Sequence, residues 1–237
     1  MTAERSNPGG EVSLVVIVAA RNEADRIGLT LHALRDAFPE AAIWVADDAS
    51  GDGTAEVAMA AGAQVVSRGR PHGKGANVTA AAEAALGGKS IPDLVLLCDG
   101  DLGQSAARLE QLVAAVDVGE CDLAVAAFSQ RVGGGFGVAL GFARWAIRRL
   151  CGFEARAPIS GQRAMRIDVL TATLPFARGY GMELGMTVDA VRAGYRVDEY
   201  EVDLAHRATG RDLAGFIHRA SQLLDFARVY LARSRAG

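Results

Sequence analysis

Asp99 and Asp101 stand one glycine apart at the end of the apolar run Leu94-Val95-Leu96-Leu97-Cys98. An apolar run bounded by polar residues reads as a buried strand, and open α/β sheets place their ligands at the carboxyl ends of such strands. Alternation along the strand sets both carboxylates on one side, while Gly100 lets the backbone turn and approach a ligand closely. Hard oxygen donors of this kind suit Mg2+ or Mn2+, ions that keep several waters and share their remaining positions with phosphate. The chemistry this implies is the holding of a metal-bound diphosphate. An ordinary solvated turn or helix cap also carries such a pair, so the rest of the chain has to decide.

Three further polar clusters follow apolar segments. Arg21-Asn22-Glu23 comes after a strand expected from Val12 to Ala19, and Asp47-Asp48-Ala49-Ser50-Gly51-Asp52-Gly53-Thr54 comes after a strand expected from Ala42 to Ala46. A short strand, Gln64 to Val66, precedes Gly73-Lys74-Gly75, which opens an alanine-rich helix reaching Leu86. Asp48 and Glu23 can each accept a base N–H or a ribose hydroxyl, and Lys74 between its glycines offers a point charge to phosphates. Asn22, Asp25, Asp47, Ser50, Asp52 and Thr54 are equally at home as turn and cap residues. The Gly-Lys-Gly segment has neither Walker A nor dinucleotide-binding spacing, which disfavours a nucleotide triphosphatase and a dehydrogenase.

These residues need a frame that brings strand ends together. Strands alternating with helices predict an α/β fold, a mainly parallel sheet with helices on both faces. At 237 residues and 50% hydrophobic content the chain can bury a sizeable core. It is read as a flexible 1–10 followed by one domain over 11–237, divided into halves at 11–118 and 119–237. The net charge of -3 conceals an asymmetry, since the first half is acidic and the second basic. The three cysteines, Cys98, Cys121 and Cys151, are scattered without metal-site spacing, which fits a reducing cytoplasm. Val12 to Ala20 is the longest apolar stretch and is too short to span a bilayer.

Taken in order, Arg21-Asn22-Glu23, Asp47-Asp48-x-Ser50-x-Asp52-x-Thr54, Gly73-Lys74-Gly75 and Asp99-x-Asp101 resemble the family-2 glycosyltransferases with the GT-A (Rossmann-like) fold. The resemblance implies that Ala19, Glu23 and Asp48 bind nucleoside, that Lys74 assists near the base or phosphates, and that Asp101 is the direct metal ligand. Asp99 and Gly100 then lie toward the ribose. Ala20 stands where many relatives have proline, a departure that bears on loop rigidity.

The second half supplies the acceptor side. A strand from Asp122 to Ala127 leads to Ser129-Gln130-Arg131 and a glycine-rich loop suited to closing over substrate, with Arg131 a candidate for an anionic group. Ser160-Gly161-Gln162-Arg163, Gly181-Met182-Glu183-Leu184-Gly185 and Val202-Asp203-Leu204-Ala205-His206 are similar to segments of polyprenyl-phosphate glycosyltransferases and glucosyl-3-phosphoglycerate synthases. That similarity implies acceptor binding by Arg163, substrate-hydroxyl binding or general-base work by Glu183, and a second metal ligand in His206. Phe142 to Leu150 reads as an amphipathic helix, and a second runs from Arg211. In the latter, Leu213, Phe216, Ile217, Ala220, Leu223, Leu224, Ala227, Tyr230 and Leu231 form the packing stripe, while His218, Arg219, Gln222, Asp225 and Arg228 face water or a membrane surface.

The expected activity is metal-dependent transfer of a hexose from a nucleoside diphosphate sugar, UDP-linked, to an anionic acceptor such as polyprenyl phosphate, with phosphoglycerate or another small acid as the alternative. The partners are therefore the donor, a small-molecule or lipid-phosphate acceptor and, peripherally, the cytoplasmic membrane face, with a homodimer compatible and no nucleic acid. A sugar nucleotidyltransferase would carry a glycine-rich loop where Arg21-Asn22-Glu23 stands. A non-catalytic sugar-nucleotide module would have little use for Glu183 beside the carboxylates.

Overall fold

The computed structural model describes residues 12–88, 91–128, 137–204 and 213–235. Within them the chain runs β1 (Leu14–Ala20), α1 (Ile27–Ala37), β2 (Ala42–Asp47), α2 (Thr54–Ala60), β3 (Gln64–Ser67), α3 (Lys74–Leu86), β4 (Leu94–Asp99), α4 (Glu110–Asp117), β5 (Leu123–Phe128), α5 (Gly137–Cys151), β6 (Arg163–Arg166), α6 (Ile167–Thr173), α7 (Met182–Arg192), β7 (Val197–Val202) and α8 (Leu213–Ser234). Single 3-10 segments, Gly103–Leu109 and Gly179–Gly181, lead into α4 and α7.

The strands form one seven-stranded sheet in the order β3-β2-β1-β4-β6-β5-β7. All neighbours are parallel except β6, which runs antiparallel to both β4 and β5. The sheet is flanked by helices, the mainly parallel GT-A-like arrangement expected. Alternation along the buried strands sorts side chains into two cores. Val16, Val18, Leu94 and Leu96 pack toward α1 and α4, while Val15, Ile17, Val95 and Leu97 pack toward α3, α6 and α7. On α1, Ile27, Leu31 and Leu34 repeat at helical spacing and all are fully buried.

Strand order decides where a ligand can lie. β1 is followed by β2 on one side, and β4 takes its other side, so the crossover direction reverses between β1 and β4. Such a switch point opens a crevice beyond the carboxyl ends of the two strands. In register, Ala19 pairs with Ala46 on β2 and with Asp99 on β4, which puts all three strand ends at one level. Because β6 is antiparallel, its first residue Arg163 pairs with Leu97, and the Ser160-Gly161-Gln162 lead-in therefore arrives over Asp99.

Strands β1 to β5 were read correctly to within two residues, β7 was given no bounds, and β6 was not read at all. Its four residues, Arg163-Ala164-Met165-Arg166, have charged ends and too little length for alternation to register. Strand β4 ends at Asp99, so Asp101 lies in the following turn rather than on the strand face with its partner. The alternation argument for that pair is replaced by a turn that Thr30 holds. Its buried hydroxyl donates to Gly100 O at 2.8 Å and accepts from Gly103 N at 2.8 Å.

Candidate active site

A cleft of about 560 Å3 opens at the switch point, walled by Ala19, Arg21, Glu23, Asp48, Lys74, Asn77, Asp99, Gly100 and Asp101, with Tyr180 and Asp225 on its far side. The sequence-derived nucleotide residues thus share one cavity. At its centre is Lys74, one of only two lysines in the chain. Its Nζ lies 2.6 Å from Asp99 Oδ1 and 2.9 Å from Glu183 Oε1. Burial alone would push the Lys74 pKa down; the two carboxylates outweigh it and hold the group above the ordinary lysine range, so the ammonium is protonated throughout the working range of pH.

The remaining Asp99 oxygen accepts from Gln162 Nε2 at 2.7 Å. Above this pair passes the backbone of Gly161, where a Cβ would overlap Lys74 Nζ and come within 2.8 Å of Asp99 Oδ2. Only a glycine lets the lead-in to β6 lie so close to the ion pair. Glu183, in the first turn of α7, is 5% exposed and reaches the cleft through Lys74.

Asp48 organises the opposite corner. It accepts from His72 N at 2.7 Å, from Gly73 N at 3.2 Å and from Asn77 Nδ2, while Arg21 Nη1 stands 3.7 Å away. The β1–α1 and β2–α2 loops are stitched to one another. Ser50 Oγ accepts from Asn22 N at 2.9 Å, Asn22 Oδ1 accepts from Gly51 N at 3.0 Å, and Thr54 Oγ1 accepts from Glu23 N at 2.9 Å. Asn22 and Ala49 both hold left-handed φ values of 55°, a conformation whose cost for alanine the surrounding bonds must meet. The cap-like residues therefore position the cleft wall rather than touch its contents.

A divalent ion fits this donor set in one way. Both Asp99 oxygens accept hydrogen bonds from cationic or amide groups, and Asp101 lines the cleft beside it with a second hard carboxylate. Among the described residues no group of three His, Cys, Asp or Glu side chains gathers to hold a metal. The site suits an ion that shares its coordination with a bound diphosphate, as Mg2+ and Mn2+ do. His206 and Arg131 lie outside the described residues.

Arg163, expected at the acceptor, is buried beneath the β6 lead-in. It is 1% exposed, donates through Nε to Ser160 O at 2.9 Å and through Nη1 to Thr187 Oγ1 at 2.9 Å, and takes no part in the cleft wall. Burial lowers its pKa to about 10, with Glu183 and Glu199 opposing the shift. Its Nη2 is buried without a hydrogen-bond partner.

The sequence reading missed Asn77, Gln162, Tyr180 and Asp225. Asn77 sits i+3 from Lys74, one helical turn along the same face, which is a signal that was legible. Asp225 was placed on the outer face of α8, yet Gln222, Phe226 and Val229 are buried while Leu224 and Leu231 are 59% and 54% exposed. The inward stripe of α8 is rotated from the one inferred from hydropathy.

The sequence pattern of the family described as glycosyl transferase family 2 matches residues 15–170. The chain is 32% identical over 213 residues to an undecaprenyl-phosphate mannosyltransferase of Micrococcus luteus, covering 83% of this chain and 85% of that one. Glucosyl-3-phosphoglycerate synthase of Mycobacterium tuberculosis, solved with phosphoglyceric acid, superposes with a TM-score of 0.75 at 25% identity over 96% of this chain and 85% of the other. The same enzyme solved with Mn2+ and UDP-glucose superposes with a TM-score of 0.72 at 26% identity, over 94% and 79%.

Proposed function

Since the chain belongs to glycosyl transferase family 2, we propose that it moves a hexose from a nucleoside diphosphate sugar, UDP-linked, to the phosphate of a polyprenyl phosphate. The observation that carries the donor half is the cleft at the β1–β4 switch point, where Asp101, Asp99 and Lys74 meet the Asp48 corner. In this reading Ala19, Glu23 and Asp48 receive the nucleoside, Asp99 and Gly100 the ribose, and Lys74 a phosphate oxygen. A Mg2+ or Mn2+ ion bound at Asp101, with His206 as its second protein ligand, would supply charge neutralisation on the departing diphosphate. The acceptor oxygen forms its bond to the anomeric carbon as the bond from that carbon to the diphosphate oxygen breaks.

A phosphate acceptor is already nucleophilic, so Glu183 is assigned to a sugar hydroxyl, with its charge kept in place by Lys74 and Arg163. A hydroxyl acceptor would instead call on it as base. Arg163 acts at one remove by fixing the β6 lead-in, and Arg131 is assigned to the acceptor's anionic group.

Support for a lipid acceptor comes from α5 and α8. Leu224, Arg228, Leu231 and Arg235 form an exposed stripe at i, i+4, i+7 and i+11, and the exposed Trp145 of α5 packs on Tyr230 with ring centroids 4.9 Å apart. Exposed apolar and aromatic residues interleaved with arginine suit an anionic membrane surface. Among the described residues no helix is long and apolar enough to cross a membrane. The mannosyltransferase relative supports the same acceptor class. The phosphoglycerate enzymes favour the second reading, transfer to a small phosphorylated acid.

A labelled-sugar transfer assay offering polyprenyl phosphate and phosphoglycerate side by side decides between them, with UDP- and GDP-hexoses as donors. Product in the organic phase supports the first reading and aqueous product the second. Absence of sedimentation with anionic liposomes at low salt would count against the lipid acceptor.

A further inference from the structure

The far wall of the cleft is closed by α8, and the manner of its attachment fixes one side chain there. Asp225, Val229 and Arg233 follow one another at i, i+4 and i+8, a single stripe along the helix, and they meet Gly179, Gly181 and Gly185 in turn. A Cβ on Gly179 would overlap Asp225 Oδ2, one on Gly181 would overlap a Val229 methyl, and one on Gly185 would come within 2.8 Å of Arg233 Nη2. Arg233 is in turn ion-paired with Asp189, and its carbonyl accepts from Arg192 Nη1 at 2.9 Å. Three glycines and a terminal ion pair therefore set the register of the helix against the segment 179–185. That register delivers the Asp225 carboxylate to the cleft.

Asp225 is not consumed by this packing. Its Oδ2 accepts from Tyr180 N at 3.2 Å and its Oδ1 from Arg228 Nη1 at 2.9 Å, leaving about half of a carboxylate's roughly four lone-pair directions. Its side chain is 18% exposed and the residue lines the cleft beside Tyr180 and Gly179. Gly179 abuts Gly73 at the start of α3, where a Cβ on Gly73 would lie 3.3 Å from Gly179 Cα. The carboxylate thus lines the same cleft as Asp48 and Lys74, on the side where Gly179 meets Gly73. An anionic group at that place repels phosphate, so what it can take from a nucleotide sugar is an uncharged O–H or N–H.

We propose that Asp225, supplied by the C-terminal helix, is a donor-recognition residue that accepts a hydrogen bond from a sugar, ribose or base group of the bound nucleotide sugar. This rests on the donor-site reading above. It also gives α8 a role in donor choice, because a carboxylate at that position selects a neutral hexose over a uronic acid.

The test is titration calorimetry of the full chain with Mn2+, using UDP, GDP, UDP-glucose, GDP-mannose and UDP-glucuronate on wild type, Asp225→Asn and Asp225→Ala. Asparagine keeps an oxygen for the Tyr180 N–H while removing the charge. Both variants are expected to weaken the preferred nucleotide sugar by about tenfold, the increment of a charge-assisted hydrogen bond, and to narrow its advantage over UDP-glucuronate. A loss confined to nucleotide sugars identifies a sugar hydroxyl; an equal loss for the free diphosphate identifies the nucleoside; either supports the proposal. Affinity within twofold of wild type in both variants overturns it. So does a loss in Asp225→Ala that Asp225→Asn restores, because Asp225 would then only support the Tyr180 turn. Failure of the wild type to bind any of the five ligands would instead strike the donor-site reading itself.

Discussion

Lys74 and Glu183 form a 2.9 Å ion pair in which the lysine faces the cleft and the glutamate lies buried behind it. The pair joins the start of α3 to the start of α7, two elements that the chain places more than a hundred residues apart. Since Lys74 also holds Asp99, the strand end, the donor wall and the α7 carboxylate respond to one ammonium group. A ligand anion that draws Lys74 toward itself changes the surroundings of Glu183 at the same time.

That link makes Glu183→Gln informative. The glutamine keeps the shape and loses the charge, so free nucleoside diphosphate is expected to bind within about twofold of wild type. Transfer is expected to fall by about tenfold where Glu183 only orients a sugar hydroxyl, and by about a hundredfold or more where it removes an acceptor proton. Steady-state kcat and KM with phosphate and hydroxyl acceptors separate the two, and unchanged transfer to both would remove Glu183 from the site.

Gly161→Ala puts a methyl group against Lys74 Nζ and Asp99 Oδ2. The β6 lead-in must shift or the ion pair must open, and overpacking of this kind costs about 1–3 kcal/mol. The expected result is a lowered Tm together with weakened nucleotide-sugar binding. Stability and binding equal to wild type would show that the segment over Asp99 yields to a methyl group without disturbing the ion pair.

Thr30→Val tests the turn that carries Asp101. The substitution conserves shape but strands Gly100 O and Gly103 N, whose bonds to Thr30 Oγ1 are both 2.8 Å. Leaving buried polar groups unmet costs about 1–3 kcal/mol, measurable by urea unfolding. Manganese-dependent donor binding is expected to fall as well, since the turn positions Asp101, the proposed metal ligand.

Asp52 gives the loop staple a pH signature. Its hydrogen bond from Thr54, aided by those from backbone N–H groups and only partly opposed by burial, holds its carboxyl below the ordinary value of 3.8. A carboxyl lowered in the folded state stabilises at pH values above 3.8 and loses that contribution as pH falls through its lower folded value. Asp52→Asn should therefore narrow the gap in Tm to wild type as the pH is lowered from 6 toward about 3. A gap that stays constant over that range would show that the Asp52 charge adds nothing to the staple.

Much of the donor side was legible because its residues follow strand ends in chain order, and a parallel sheet turns that order into proximity. Asp99 closes β4, Lys74 opens α3, and Asp48 and Asp101 lie within two residues of a strand end, so local pattern located them. Gln162 and Asp225 were not legible in this way. Gln162 reaches Asp99 only because β6 runs antiparallel, and no local pattern announces the direction of a four-residue strand. Asp225 turns inward because Gly179, Gly181 and Gly185 admit α8 closely on a polar stripe. Hydropathy instead assigned the inward face to Leu224 and Leu231, both of which are exposed. Arg163, read from its motif as an acceptor contact, lies buried beside Thr187, a placement that its motif alone does not announce.

The most direct measurement is Mn2+-dependent consumption of a nucleoside diphosphate hexose by wild type and Asp101→Asn, followed as release of the nucleoside diphosphate with acceptor present. Wild-type turnover that requires the metal and falls by about a hundredfold or more in Asp101→Asn is the predicted result. Metal-dependent turnover at the wild-type rate in Asp101→Asn would contradict the assignment of this carboxylate, and with it the donor-diphosphate site built around Asp99, Lys74 and Asp101.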